Sequence, residues 1–298
     1  VDRDSCPSDG GNDHPHGGVA MKHIVMYSGG IGSWMTAKTV SERHGPNNMV
    51  LLFADVKGNN ESEHLGEDQD NYRFIRETAA KFGSQLVWLN EGRSIWQVFH
   101  DKRFLGNSRL ASCSHELKQK PTRKWLIDNC DPEQATVYVG ISWDEIHRLP
   151  AIEKAYKSFG FTAEAPLCEP PYLDKAQMLA ACRADGIEPP RSYAMNYSHS
   201  NCGGFCVRAG QAQFRLLLQE NRDRFLFHEQ QEQDIRDYLG KDVSILTETV
   251  NNDPIPLTLR SFRERQDSQP GLFDFDEFDF GGCGCFVETR EDEGNQDG

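Results

Sequence analysis

Three groups of residues have types and spacings that suit chemistry. The first is the run from Tyr27 to Ser33, YSGGIGS. Glycines let a backbone approach an anion closely. Where such a turn leads from a strand into a helix, its N–H groups and the positive helix end point at that anion. Ser28 and Ser33 add hydroxyl donors, so Tyr27, Ser28, Gly29, Gly30, Gly32 and Ser33 form a candidate phosphate site. The run lacks the lysine of GxxxxGK[ST] and the spacing of GxGxxG. The competing reading is an ordinary glycine turn. The second group is Cys202 and Cys206, separated by three residues of which Gly203 and Gly204 permit a tight turn. That turn can bring two thiolates to one metal centre. Cysteines also pack as small apolar residues, and this reading fits Cys130 and Cys182 within apolar helical stretches. The third group is Cys283 and Cys285 in GGCGCF, which suits nucleophilic attack, persulfide carriage, metal ligation or docking.

Positioning these groups requires regular elements. Residues 22–27, 49–54, 84–89 and 135–141 read as apolar strands, with a short fifth at 161–167. Residues 33–43, 67–82 and 112–129 read as helices between them, Pro121 opening a second helical segment in the last. Strands alternating with helices predict an α/β fold, an open, mostly parallel sheet with helices on both faces. The near-continuous apolar run at 49–54 fits a strand covered on both faces. After residue 168 strands are expected to stop, and residues 174–185 and 211–239 read as helical. The expected organisation is a flexible tail at 1–20, a nucleotide domain at 21–167, a helical cysteine-containing extension at 168–260 and a flexible acidic tail at 261–298. His14 and His16 belong to the first tail. The period-two FDFDEFDF at 273–280 reads as a packed or solvated tail, an edge strand or a docking segment.

Composition narrows the function classes. The 298 residues carry 46 acids and 32 bases, a formal charge of −14, which removes any global attraction to nucleic acid or anionic membrane. No window approaches the 18 or more apolar residues a membrane span needs. Residues 1–20 lack the apolar run of a secretory signal, so a cytoplasmic protein is expected. Nine cysteines are too few for a disulfide scaffold and fit metal or redox chemistry in a reducing compartment.

The run SGGIGS resembles the pyrophosphate loop, SGGxxS, of the ATP pyrophosphatases, the adenine nucleotide alpha-hydrolase-like or PP-loop superfamily. Further segments are similar to its phosphoadenosine phosphosulfate reductase-like branch. LFADVKGNNESEH places Asp55 at that family's acidic position, and LASCSHELKQKP matches its Cys-x-x-x-Leu-Lys-x-x-Pro segment through Cys113, Leu117, Lys118 and Pro121. GISWDEIHR, from Gly140 through Asp144 to Arg148, resembles a second nucleotide-side motif, and NCGGFC resembles the paired cysteines of cluster-binding members. The resemblance spans about residues 22–218. It implies ATP as ligand, AMP transfer to an oxygen and pyrophosphate as leaving group. It implies phosphate-binding cations at Lys118, Arg148 and Arg123, and Mg²⁺ assisted by Asp55, Asp144 or Glu145. It makes Cys113 the third metal ligand beside Cys202 and Cys206, with Cys168 as a fourth, for a [4Fe–4S] cluster or zinc.

Three functions follow. The first is adenylation of a substrate for sulfur insertion into nucleic acid, of the tRNA-thiolation or DNA-phosphorothioation type. A partner protein would present the nucleic acid, and a sulfur donor such as a cysteine desulfurase would supply sulfur. The second is a sulfonucleotide reductase using Cys283 or Cys285, although this tail lacks that family's Glu-Cys-Gly ending. The third is a non-catalytic nucleotide-binding subunit. The complete loop, with Ser28, Gly29, Gly30 and Ser33 all present, favours the first.

Overall fold

The computed structural model describes residues 21–107 and 110–268. Its centre is a five-stranded sheet of β1 (Lys22–Met26), β2 (Met49–Asp55), β3 (Gln85–Asn90), β4 (Ala135–Tyr138) and β5 (Thr162–Glu164). The strand order is β3-β2-β1-β4-β5, and every adjacent pair is parallel. The α/β fold with an open parallel sheet is therefore as the sequence predicts. All seven residues of β2 are buried, which explains why its apolar run does not alternate.

Strand periodicity sorts the core into two layers. Val25, Tyr27, Leu51 and Phe53 face α1 (Ile31–His44) and α2 (Gln69–Phe82). Ile24, Met26, Val50 and Leu52 point the other way, among Leu126, Ile152 and Tyr156. A third apolar cluster closes one end of the molecule. It joins Val56, Leu65 and α3 (Ile95–Lys102) to Phe205, Phe214, Phe225 and Phe262. One continuous core thus crosses residue 167. Local signals set several ends. Asp68 caps α2 by accepting from the Asp70 N–H, and Ser94 with Gln97 forms a reciprocal box at the start of α3.

Residues 112–129 are helical throughout, as read. They run through α4 (Ser112–Ser114), a π turn at His115–Gln119 and α5 (Lys120–Asn129). α6 (Leu149–Lys157) precedes β5. Beyond it come α7 (Lys175–Ala184), α8 (Arg191–Ala194), α9 (Gln211–Glu220) and α10 (Arg222–Leu239). Two expectations are corrected here. Strands do not stop at 168, because β6 (Leu246–Val250) and β7 (Asp253–Leu257) form an antiparallel hairpin. Asn251 and Asn252 turn it with φ of 52° and 69°, as tight hairpins favour. Pro254 and Pro256 weaken its sequence signal, since proline suits only a strand with an unpaired side. Residues 261–268 are not tail but the body of α11 (Leu259–Ser268), anchored by buried Leu259 and Phe262. Residues 1–20, including His14 and His16, and residues 269–298, including Cys283 and Cys285, lie outside the described residues.

Candidate functional site

In an open parallel sheet, ligands bind beyond the carboxyl ends of the strands where the strand order reverses. Here that point lies between β1 and β4, whose outgoing loops carry the glycine run and Gly140. The run turns directly into α1, with Gly30 as its cap residue. The Gly30 N–H donates to Ser28 Oγ at 3.3 Å, and Ser28 Oγ donates to Ser33 Oγ at 3.4 Å. Ser33 Oγ donates to the Gly30 carbonyl at 2.8 Å. The two loops meet backbone to backbone. A Cβ on Gly32 would lie 2.9 Å from the Gly140 carbonyl oxygen, and one on Gly140 would lie 2.9 Å from Ser33 Cα. Glycine is required on both sides of that contact.

Above the loop opens a cleft with a cavity volume of about 190 Å³. Of the residues expected near the nucleotide, Ser28, Gly30, Gly32, Ser33, Gly140 and Arg148 line it. Lys175, Tyr193, Ser198, His199 and Asn201 line it too, and sequence reasoning missed them. Lys175 follows the Asp174 capping box of α7, and His199 stands three residues before Cys202. The second proximity was the available signal. Arg148 is ion-paired with Glu145, which also lines the cleft. Lys175 Nζ donates to the Ser198 carbonyl at 2.6 Å. Burial pulls the Lys175 pKa below its ordinary value, against the opposing pull of Asp144 and Glu145. Burial also brings His199 down to about 4, helped by the nearby ammonium groups of Lys118 and Lys175.

Other expected residues stand elsewhere. Tyr27 is fully buried in the core facing α1 and α2, because strand alternation turns it away from the cleft that Met26 reaches. Gly29 backs against Asn71 and Ile75. Asp55 is buried and does not line the cleft. Its Oδ1 accepts from the Tyr72 hydroxyl at 2.7 Å and from the Lys57 N–H at 3.0 Å. Asp144 is exposed and accepts from Ser142 Oγ at 2.5 Å. Of the three acids expected to assist Mg²⁺, only Glu145 reaches the cleft. Arg123 lies over the Phe159 ring, 4.5 Å from its centroid.

A second, small cavity has a volume of about 20 Å³. Cys113, Cys202, Cys206 and Lys118 line it. Lys118 belongs to the π turn, a geometry that often marks functional positions. The family motif implied a place beside the phosphates, but Lys118 does not line the cleft. Instead its Nζ lies 3.7 Å from Glu67 Oε1, both side chains being almost fully buried. A hydrogen bond with Cys206, together with burial, holds the Cys202 thiol well above its ordinary pKa, and Lys118 opposes both. Cys202 sits in a strained turn with φ of 52°, and Gly203 follows at 55°. Arg224 clamps this turn. Its Nη2 donates to the Gly66 carbonyl at 2.6 Å and to the Cys202 carbonyl at 3.4 Å. A Cβ on Gly203 would lie 2.3 Å from the guanidinium.

Cys168 is not part of this cavity. It packs under the sheet, its Sγ 3.7 Å and 3.6 Å from the Ile141 and Ser142 carbonyl oxygens. The expectation that it completes a four-cysteine set is thereby corrected: the thiol is turned to the Ile141 and Ser142 carbonyls and does not line the cavity that Cys113, Cys202 and Cys206 share. Among the described residues, no group of three or more His, Cys, Asp or Glu side chains is arranged to hold a metal ion. Cys113, Cys202 and Cys206 border one space without converging on a common point. Among the described residues, the donor set therefore does not fit a four-thiolate [4Fe–4S] or zinc site. No helix among the described residues is long and apolar enough to cross a membrane.

The chain matches no family model, and no curated protein matches it. Among solved structures it is similar to a phosphoadenylyl-sulfate (PAPS) reductase from Candida auris, in a phosphate complex. That similarity has 16% identity and a TM-score of 0.40, over 60% of this chain and 80% of that one. It is also similar to an NH3-dependent NAD synthetase from Campylobacter jejuni in complex with nitrate. Here the identity is 14% and the TM-score 0.39, over 76% of this chain and 89% of that one.

Proposed function

We propose that this protein is an ATP pyrophosphatase that adenylates a substrate, forming AMP-substrate and pyrophosphate, for sulfur insertion into a nucleic acid. The observation that carries the reading is the loop Ser28–Ser33. It stands at the switch point of the sheet and opens into a cleft bordered by Arg148, Lys175 and His199. An acceptor oxygen attacks the α-phosphorus, and the electron pair of the breaking bond leaves with the β-phosphate oxygen. Loop N–H groups, hydroxyls and the cations of Arg148 and Lys175 stabilise that developing charge more than they stabilise bound ATP. Mg²⁺ enters as part of the MgATP substrate, with Glu145 as the nearby carboxylate.

The sulfur step is supported by adjacency. Asn201 lines the cleft and Cys202 lines the thiol cavity, so one turn forms the wall between them. A donor of the cysteine desulfurase type would deliver a sulfane sulfur as a persulfide on one of these cysteines. Its terminal sulfur displaces AMP from the adenylated acceptor, and a neighbouring thiol then cleaves the mixed disulfide. The thiolated acceptor leaves, and a disulfide remains for a dithiol reductant to reopen. No step is routed through a metal cluster.

The test is incubation of the purified chain with Mg²⁺ and α-labelled ATP, with and without nucleic acid. Labelled AMP or an AMP adduct with stoichiometric pyrophosphate supports the reading, and Ser28→Ala should abolish both. ADP as the labelled product would overturn it. Sulfite released from adenylyl sulfate would replace it with a sulfonucleotide reductase. Iron and sulfide assays on protein purified without oxygen accompany this test.

A further inference from the structure

We propose that His199 is a phosphate-binding residue of the cleft that takes up a proton when a polyphosphate binds, then donates a hydrogen bond to a phosphate oxygen beside Arg148 and Lys175. The inference rests on the nucleotide reading above and deepens it. Both ring nitrogens of His199 are buried and have no hydrogen-bond partner, although the residue lines the cleft beside Arg148 and Lys175. Burying a polar group without a partner is costly. A partner supplied by the ligand removes that cost.

The surroundings define the ligand's charge. Lys118, from the π turn, and Lys175, from α7, both act on the imidazole. Arg148 and Glu145 contribute from the segment after β4, and Ser28, Ser33 and Tyr193 add hydroxyls to the same cleft. Lys118 is partly balanced by Glu67. With two ammonium groups nearby, the imidazole stays neutral, its pKa brought down to about 4 by burial and by those cations. A phosphate chain resting on the glycine loop reverses the local sign of charge. Nearby anions favour the protonated form of an imidazole. The charged ring is then a donor at both nitrogens, able to hold the leaving pyrophosphate.

The test is calorimetric titration of inorganic pyrophosphate, and separately of MgATP, into the full chain at pH 6 in two buffers of different ionisation heat. Phosphate groups that meet cations release protons, so the imidazole is read from the difference between the parent and His199→Gln, expected as roughly 0.5–1 more proton taken up per chain by the parent. His199→Gln should bind within about tenfold of the parent and lose the uptake, a factor equal to roughly one hydrogen bond. Binding with the same proton balance in the parent and in His199→Gln overturns the inference and leaves the nucleotide reading intact. Failure of both ligands to bind overturns the nucleotide reading and the inference with it. A measurement on the parent chain guards against a misfolded variant. The His199 ring resonance should titrate near pH 4 alone and above pH 6 with pyrophosphate. A titration that pyrophosphate does not shift overturns the inference.

Discussion

The hydroxyl of Tyr193 accepts a hydrogen bond from the backbone N–H of Ile31 at 2.9 Å. Ile31 is the first residue of α1, so a side chain of the chain itself occupies a donor at the helix end where phosphate is expected to bind. The ligand must share or displace that hydroxyl. Tyr193→Phe should leave the donor to the ligand and tighten pyrophosphate binding by roughly fivefold, the equivalent of about 1 kcal/mol. Titration of both proteins with pyrophosphate checks this, and weaker binding by the variant would show that the hydroxyl assists the ligand.

Gly140→Ala should damage loop and stability together. Its Cβ would fall 2.9 Å from both the N and the Cα of Ser33. Overpacking of this kind costs about 1–3 kcal/mol. Both the melting temperature and AMP formation should drop. A variant with full activity would mean that the loop shifts without consequence.

Lys118→Met should cost about 3–5 kcal/mol, because it withdraws the cation facing the buried Glu67 carboxylate. Adding Glu67→Gln should restore part of the loss, since the two positions are coupled. Urea unfolding of the two single variants and the double variant measures that coupling.

The cysteines should separate by location. Cys113→Ala, Cys202→Ala and Cys206→Ala should each abolish sulfur transfer while AMP formation survives. Cys168→Ala should leave both intact, because its thiol lies against the Ile141 and Ser142 carbonyls outside the cavity. Labelled sulfur in the product, measured beside labelled AMP, distinguishes the two sets.

Stability should carry a pH signature from Glu232. Burial raises its pKa from 4.5 to about 7, although its carboxylate accepts from the Ile245 and Leu259 N–H groups and Arg236 opposes the rise. A pKa raised on folding favours the protonated folded state. The contribution is therefore complete below pH 4.5 and is lost as pH rises through about 7. The change is on the order of 3 kcal/mol. Denaturation midpoints at pH 5 and pH 8 should differ less in Glu232→Gln than in the parent.

The sheet is legible because β1 and β2 are apolar runs joined by helix patterns, and the loop is legible as a strand-to-helix turn because its glycines fall between those patterns. The cleft's far wall was not legible. Lys175, Tyr193 and His199 lie more than 140 residues from the loop they face, and no local periodicity reports such a pairing. Asp55 and Tyr27 were misplaced for a related reason. Asp55 ends β2 and Tyr27 follows β1, but the direction of each side chain depends on neighbours, Tyr72 for one and the core for the other. The prolines of β7 hide the hairpin, whereas the Ser94–Gln97 box marks the start of α3 locally.

The Arg224 clamp has a consequence for dissecting the molecule. One guanidinium from α10 holds the loop ending at Gly66 and the turn at Cys202, while Cys113 and Lys118 reach the same cavity from before β4. A truncation that keeps only the sheet would lose half of that cavity's wall along with the clamp. The two halves of the polypeptide should instead complement each other when a backbone nick is made between them, and neither fragment alone should support sulfur transfer.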